Sequence, residues 1–199
     1  MRKLLIATNN KGKIIELQEL LADLAVELIT PNMLGLNINV VEDGESYREN
    51  AALKAIAFAK ASGMLSMGDD SGLEVDALGG APGLYSARYL PLANATDADR
   101  RAFLLQNLKP HARPWKAHFH ASIAVSTADG AVRFADGQCN GEIIPEERGT
   151  NGFGYDPIFL MDGLGRTMAE LDMEEKNHLS HRARAIQNAK PILVELLNK

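Results

Sequence analysis

The chain has 199 residues, 46% hydrophobic and 24% charged, enough to bury a full core as one compact domain, in one or two lobes, without disulfide or metal staples. A formal net charge of −5 argues against broad nucleic-acid binding, though not against a small phosphate ligand, whose surroundings a few well-placed cations can dominate. The single cysteine, Cys139, excludes an internal disulfide and suits a reducing compartment such as the cytoplasm.

The opening apolar run is too short for a signal peptide or a membrane span, and residues 3–7 (KLLIA) are expected as a buried first strand. A helix follows from about residue 11 to 24, with Ile14, Leu17, Leu21 and Leu24 on one face. Ser46-Tyr47-Arg48-Glu49 has the form of a capping box, in which Ser46 accepts from the Glu49 amide and Glu49 reaches back. It opens an alanine-rich helix that Gly63 stops near Ser62. Residues 64–68 predict a short strand leading into Asp69-Asp70-Ser71-Gly72, and Thr96 or Asp97 starts a helix ending near Leu108.

Residues 116–127 alternate, with Ala117, Phe119, Ala121, Ile123 and Val125 on one face and His118, His120, Ser122 and Ala124 on the other. Asp129-Gly130 signals a hairpin turn, and Ala131 to Ala135 would return beside residues 116–127. The glycine-rich stretch 148–156 reads as a loop. A last helix runs from about Ser180 to Leu197, with Pro191 expected to kink or divide it. Strands alternating with helices, then a hairpin, predict an α/β fold with a mixed central sheet flanked by helices.

Four groups of residues could carry chemistry. Thr8, Asn9, Asn10, Lys11, Gly12 and Lys13 lie between a strand and a helix, where free amides, the helix dipole and two lysines favour an anion. The pattern is not the nucleotide-binding P-loop, and a solvated polar connection is the alternative. Glu42, Asp43, Asp69 and Asp70 form a carboxylate set that a cation would relieve, and magnesium accepts one or two carboxylates plus water and phosphate; an acidic surface turn is the plainer reading. Phe153 and Tyr155, interleaved with Gly152 and Gly154 and followed by Asp156, offer aromatic faces to a purine or plugs for the core. Lys176, His181 and Arg182 surround a helix start; their donors would suit the carbonyl oxygen at position six of a keto purine, where adenine carries an amino group. His118 and His120 have zinc-compatible spacing but no evident third ligand, and Cys139 reads as structural.

Taken together, ATNNKGK (7–13), ENAALKA (49–55), DDSGLEVDALGGAPGLYSARY (69–89), GFGYDPIF (152–159) and EEKNHLSHR (174–182) resemble the inosine triphosphate pyrophosphatase family, enzymes that cleanse the nucleotide pool of non-standard purine triphosphates. The resemblance runs from the first strand to the last helix. It implies a single pyrophosphatase domain over residues 1–199, two lobes with a substrate cleft between them, a homodimer, and hydrolysis of ITP, dITP and XTP to the monophosphate and pyrophosphate. It further implies that Thr8 to Lys13 hold the triphosphate, that Lys54 is a further phosphate contact and that Ser71 touches substrate. Asp70 resembles the general base and, with Glu42, a ligand of magnesium, which manganese can replace; Asp69 is a possible helper. Glu42-Asp43 allows a one-residue shift in that match. Phe153, Gly154, Tyr155, Asp156, Lys176, His181 and Arg182 resemble the base-recognition set. Two rival readings remain, a nucleotide-binding protein without turnover and a pyrophosphatase acting on modified pyrimidines.

Overall fold

The structure is a computed structural model and describes residues 2–198. In chain order the main elements are β1 (Arg2–Ile6), α1 (Lys11–Leu20), β2 (Val26–Ile29), α2 (Tyr47–Ser62), β3 (Ser66–Val75), α3 (Asp97–Leu108), β4 (Trp115–Ser126), β5 (Val132–Ile143), β6 (Phe159–Met161), α4 (Met173–Leu179) and α5 (His181–Leu197). The strands form one sheet in the order β2-β1-β3-β4-β5-β6. β1 runs parallel to both β2 and β3, whereas β6 runs antiparallel to β5, so the sheet is mixed, as the sequence pattern predicts. The chain divides into two compact units: Met1–Asp70 with Ala121–Gly137 and Arg182–Lys199, and Ser71–His120 with Gln138–His181.

In the first unit the sheet is covered on both faces, and strand alternation decides which side chain goes where. Leu4 and Ile6 of β1, Met67 of β3 and Ala121, Ile123 and Val125 of β4 pack with Leu17 and Leu20 of α1, Leu21 just after it, and Ala185, Ile186, Ala189 and Leu193 of α5. On the other face Leu5 and Ile29 meet Phe58 of α2, and Ala124 meets Ala51 and Ala55. Each buried leucine or isoleucine adds about 1.5–3 kcal/mol of apolar burial. The second unit has its own core, in which Leu73 and Val75 of β3, Leu104 and Leu108 of α3, Trp115 and Phe119 of β4, and Phe159 of β6 are buried. The structural reading of Cys139 fits its burial in this core.

Several boundaries differ from the sequence reading. α1 ends at Leu20 rather than near 24, because Leu21 to Leu24 leave the helix to feed β2, a four-residue strand that lacks a readable alternation. β3 does not stop at residue 68 but continues through Asp69-Asp70-Ser71-Gly72, so the two carboxylates sit inside a strand rather than in a turn after it. β5 continues to Ile143, well beyond Ala135. Pro191 lies within an α5 that is a single element from His181 to Leu197, so it does not divide the helix. At α2, Ser46 Oγ accepts from the Glu49 amide at 3.2 Å as expected, but the Glu49 carboxylate reaches back to the Glu45 amide at 2.7 Å, one residue beyond the box.

The alanines of α2 permit a very close approach to β3. A Cβ placed on Gly68 would lie 2.1 Å from the Ala51 carbonyl oxygen and 3.0 Å from the Ala55 nitrogen, both helix backbone atoms. Nothing flexible is available to move aside. Gly68→Ala is therefore expected to force α2 off the strand and to cost about 2 kcal/mol or more, in the range of overpacked cores. Urea denaturation checks this, with a lower midpoint expected at an unchanged slope; an unaltered midpoint would mean that the helix yields freely.

Candidate active site

The loop between β1 and α1 is organised by its own side chains. Thr8 Oγ1 accepts from the Asn10 amide at 3.1 Å, and Asn10 Oδ1 caps α1 by accepting from the Lys13 amide at 3.1 Å. Asn9, Asn10 and Lys11 are exposed, and Thr8, Gly12 and Lys13 are half-buried. The first-turn amides of a helix have no intrahelical acceptor, so Lys11 and Gly12 stand where an anion would be held.

Lys13 points inward, with Nζ 3.2 Å from Asp69 Oδ1 and 3.3 Å from the Asp69 carbonyl oxygen. The same aspartate accepts from Arg182 Nε at 2.6 Å, and Arg182 Nη1 donates to Glu16 Oε2 at 2.5 Å. Asp69, Arg182 and Glu16 are all buried. Burial pushes the Asp69 carboxyl up, but Arg182 and Lys13 outweigh it and hold the group well below the usual carboxylate range. Burial wins at Lys13, lowering its ammonium against the pull of Asp69.

Asp70, the next residue, meets a different partner. Lys54 Nζ of α2 lies 3.3 Å from Asp70 Oδ1 and 2.8 Å from Glu42 Oε2, so one ammonium bridges the two carboxylates. Burial raises the Asp70 pKa, helped by Glu42 and Asp69 and opposed by Lys54 and Lys13. Burial would lower Lys54, but Asp70 and Glu42 prevail and keep it raised. Consecutive residues of a strand face opposite ways, so Asp69 and Asp70 are not one clustered pair but two separately partnered acids. Among the described residues no group of three or more His, Cys, Asp or Glu is placed to hold a metal ion. Glu42 and Asp70 nevertheless fit magnesium chemically: both offer hard oxygens, and the ion tolerates two carboxylates when water and phosphate fill its shell. His118, of the zinc-compatible pair, lies 3.3 Å from Glu74 on the neighbouring strand.

The second unit carries the aromatic loop. Tyr155 is a core plug, buried, with its hydroxyl donating to the Ser86 carbonyl at 2.9 Å, and burial raises its pKa. Phe153 stays half-buried, and the Lys176 ammonium lies 5.1 Å from the centre of its ring. Lys176 Nζ also donates to Asp156 Oδ2 at 2.7 Å, an oxygen that accepts from the Phe153 amide at 3.0 Å. A Cβ on Gly152 would fall 2.1 Å from that oxygen, which explains the glycine. His181 is buried and stacked on Phe119, ring centres 4.7 Å apart and planes 12° from parallel. Ser71 lies within β3, half-buried.

The structure thus brings Lys13, Glu42, Lys54, Asp69 and Asp70 together in the first unit, and Phe153, Asp156 and Lys176 together in the second. Arg182, in the first unit, pairs with Asp69 and Glu16, and Lys176, in the second, pairs with Asp156. Glu16 was not a candidate from sequence. Its signal was an acid one helical turn before Leu20, a position buried with the apolar stripe of α1.

Comparison with known proteins gives a consistent result. The Ham1 family model matches residues 4–192. The chain is 44% identical over 194 residues to the dITP/XTP pyrophosphatase of Prochlorococcus marinus (strain NATL1A), covering 98% of this chain and 95% of that protein. It is 44% identical over 202 residues to the dITP/XTP pyrophosphatase of Listeria monocytogenes serovar 1/2a, covering 100% and 98%. Among solved structures, a HAM1 protein from Coxiella burnetii superposes with a TM-score of 0.89 at 40% identity, covering 98% of this chain and all of that one.

Removing one partner of a buried ion pair leaves a charge stranded, at a cost of about 3–5 kcal/mol. Arg182→Met, which takes the guanidinium from two buried carboxylates, Glu16 and Asp69, and leaves Asp69 its contact with Lys13, is expected to lose about that much in urea denaturation, whereas Lys190→Met, whose partner Asp23 is largely exposed, loses under about 1 kcal/mol. Similar losses in the two variants would mean that the Arg182 pairs are solvated.

Proposed function

This chain belongs to the Ham1 family, and from that membership we propose that it hydrolyses non-standard purine nucleoside triphosphates, ITP, dITP and XTP, to the nucleoside monophosphate and pyrophosphate. The relatives named dITP/XTP pyrophosphatase support the substrate class. The observation that carries the reaction is the arrangement around β3, where Lys13 and Lys54 converge on Asp69 and Asp70 from α1 and α2.

In this reading the first-turn amides of α1 and Lys11 and Lys13 bind the phosphate chain, and Lys54 neutralises a further phosphate oxygen. Asp70 orients a water molecule for attack on the α-phosphorus and takes its proton. The new bond from water oxygen to phosphorus forms as the bond to the α–β bridging oxygen breaks, and pyrophosphate leaves with that electron pair. An aspartate whose pKa is raised by burial is a better match for this role than a solvated one. Asp69, locked ionised by Arg182, fixes the Lys13 ammonium instead of accepting protons. Magnesium or manganese held by Glu42 and Asp70 would supply positive charge to the phosphate oxygens.

Base selection falls to Phe153 through Asp156, with Lys176 and His181 as donors. A donor aimed at the carbonyl oxygen of hypoxanthine or xanthine is left facing an amino group when adenine is present. Arg182, in its present pairing, supports the carboxylates. Ser71 contacts the substrate, and the protein acts as a homodimer in the cytoplasm.

Pyrophosphate release from ITP, dITP, XTP, ATP, GTP and dUTP, with and without magnesium, tests the proposal. ITP and XTP are expected to turn over well ahead of ATP, only with metal, and Asp70→Asn is expected to lower kcat by about 10²–10⁴-fold, the usual weight of a general base. Tight ITP binding without turnover would point to a binding protein, and preferential release from dUTP to a pyrimidine enzyme.

A further inference from the structure

The loop that carries Phe153 is soft by composition. Gly149, Gly152 and Gly154 hold φ values of 79°, 75° and 61°, a region where glycine has little preference for one conformation over another. A ring offered to a base from such a loop needs to be fixed from outside it. The loop has ties to its own neighbourhood: Asn151 donates from its amide to the Ala169 carbonyl at 3.0 Å and from Nδ2 to the Leu171 carbonyl at 2.9 Å.

The residue after Phe153 is held differently. The Gly154 amide donates to Asp97 Oδ2 at 2.8 Å, and the Gly154 carbonyl accepts from Arg101 Nη1 at 2.8 Å. Asp97 and Arg101 lie four residues apart on α3, on one face of the helix. Both polar groups of Gly154 are therefore gripped by side chains of a single element. Arg101 also forks onto Glu147, from Nε to Oε1 at 2.8 Å and from Nη2 to Oε2 at 2.9 Å, which ties the approach to the loop as well. α3 is a firm base for this grip, because Leu104 and Leu108 are fully buried in the core of the second unit.

The helix does not need Asp97 for its own start. Thr96 caps α3, accepting from the Asp99 amide at 3.2 Å, while Asp99 Oδ2 accepts from the Thr96 amide at 2.8 Å. Arg100 Nη2 braces the other oxygen of Asp97, which leaves Oδ2 aimed at Gly154. Both residues thus point out of their own helix at one residue of the loop, one on the peptide before it and one on the peptide after.

We infer that Asp97 and Arg101 are positioning residues for base selection, holding the Phe153–Gly154 segment as a fixed platform against which the purine is read. This rests on the reading that Phe153 meets the base. Neither side chain touches substrate; both act through the loop backbone. Loss of either grip lets the ring move, and affinity for the base falls while the chemistry at the phosphates is unaffected.

Steady-state hydrolysis of ITP, together with inhibition by inorganic tripolyphosphate, which has phosphates but no base, tests the inference. Asp97→Ala and Arg101→Met are each expected to raise KM for ITP about tenfold, the scale of one lost charge-assisted hydrogen bond, with kcat changed less than about threefold. The inhibition constant for tripolyphosphate is expected to stay at the wild-type value, a result that also shows the variants to be folded. Asp97→Asn keeps an acceptor for the Gly154 amide and is expected to restore most of the wild-type KM; should Asp97→Ala not fold, this variant and Arg101→Met carry the test. An unchanged KM in Arg101→Met, or tripolyphosphate inhibition weakening in parallel with KM, overturns the inference while wild-type turnover of ITP stands. A wild-type protein that releases no pyrophosphate from ITP overturns the functional reading itself, and the inference with it.

Discussion

The arrangement of the charged site depends on the contact between α2 and β3 at Gly68. Helix backbone rests where a side chain would otherwise stand, and this sets the depth at which Lys54, one turn beyond Ala51, meets the strand. Alternation along β3 does the rest. Met67 and Asp69 face α1 and α5, so Asp69 finds Lys13 and Arg182; Gly68 and Asp70 face α2, so Asp70 finds Lys54. Two adjacent aspartates thereby acquire opposite behaviour from the same backbone, one held ionised by an arginine and a lysine, the other pushed up by burial. A shift of one residue in β3 would exchange their partners, which is why a strand, with its strict period of two, is the right element to carry them.

Buried ions are expensive, and this chain meets the cost by pairing rather than by exposure. Arg182 and Lys176 are as buried as core leucines, and each is in contact with a carboxylate that is equally buried. Well-packed hydrophobic residues would serve stability as well or better at such positions. Charge fixed in a buried setting interacts more strongly with a phosphate or a base than the same charge in water, which is what the proposed reaction would use.

What the sequence made legible follows from the range of each signal. The starts of α2 and α3, the end of α2 at Gly63 and the β4–β5 turn at Asp129-Gly130 all arise from residues within a few positions of one another, and all are found in the structure, as is the mixed sheet that the order of strands and helices predicts. The length of β3 was hidden because Asp69-Asp70-Ser71-Gly72 has the composition of a turn. It is a strand only because cations reach it from 56 and 113 residues away, from Lys13 and Arg182. The pairing of Arg182 is hidden for the same reason: α5 begins at His181, and Arg182 answers to Glu16 of α1 and Asp69 of β3. Glu16 was passed over because an acid beside an apolar stripe looks solvated until its partner, 166 residues on, is known. Whether an aromatic ring in the loop is buried is equally illegible: Tyr155 enters the core, its hydroxyl bonded to Ser86, while Phe153 stays half-buried beside Lys176.

The two ends of the proposed substrate ask for different kinds of recognition. A phosphate chain is a diffuse multivalent anion; cations on regular helices and strands hold it well, and small errors of position matter little because Coulomb attraction falls slowly with distance. Hypoxanthine and adenine differ at one substituent, a carbonyl against an amino group, and that difference is read only by donors fixed to within a few tenths of an ångström. Charge alone cannot make the distinction. In the proposed reading the base is met by a backbone that is shaped freely and then immobilised, and the glycine-rich loop, gripped at Gly154 by two side chains of a core-anchored helix, has that character. Softness in the sequence of the loop and rigidity in its setting are two halves of one requirement: the glycines let the chain adopt the conformation, and α3 removes the alternatives.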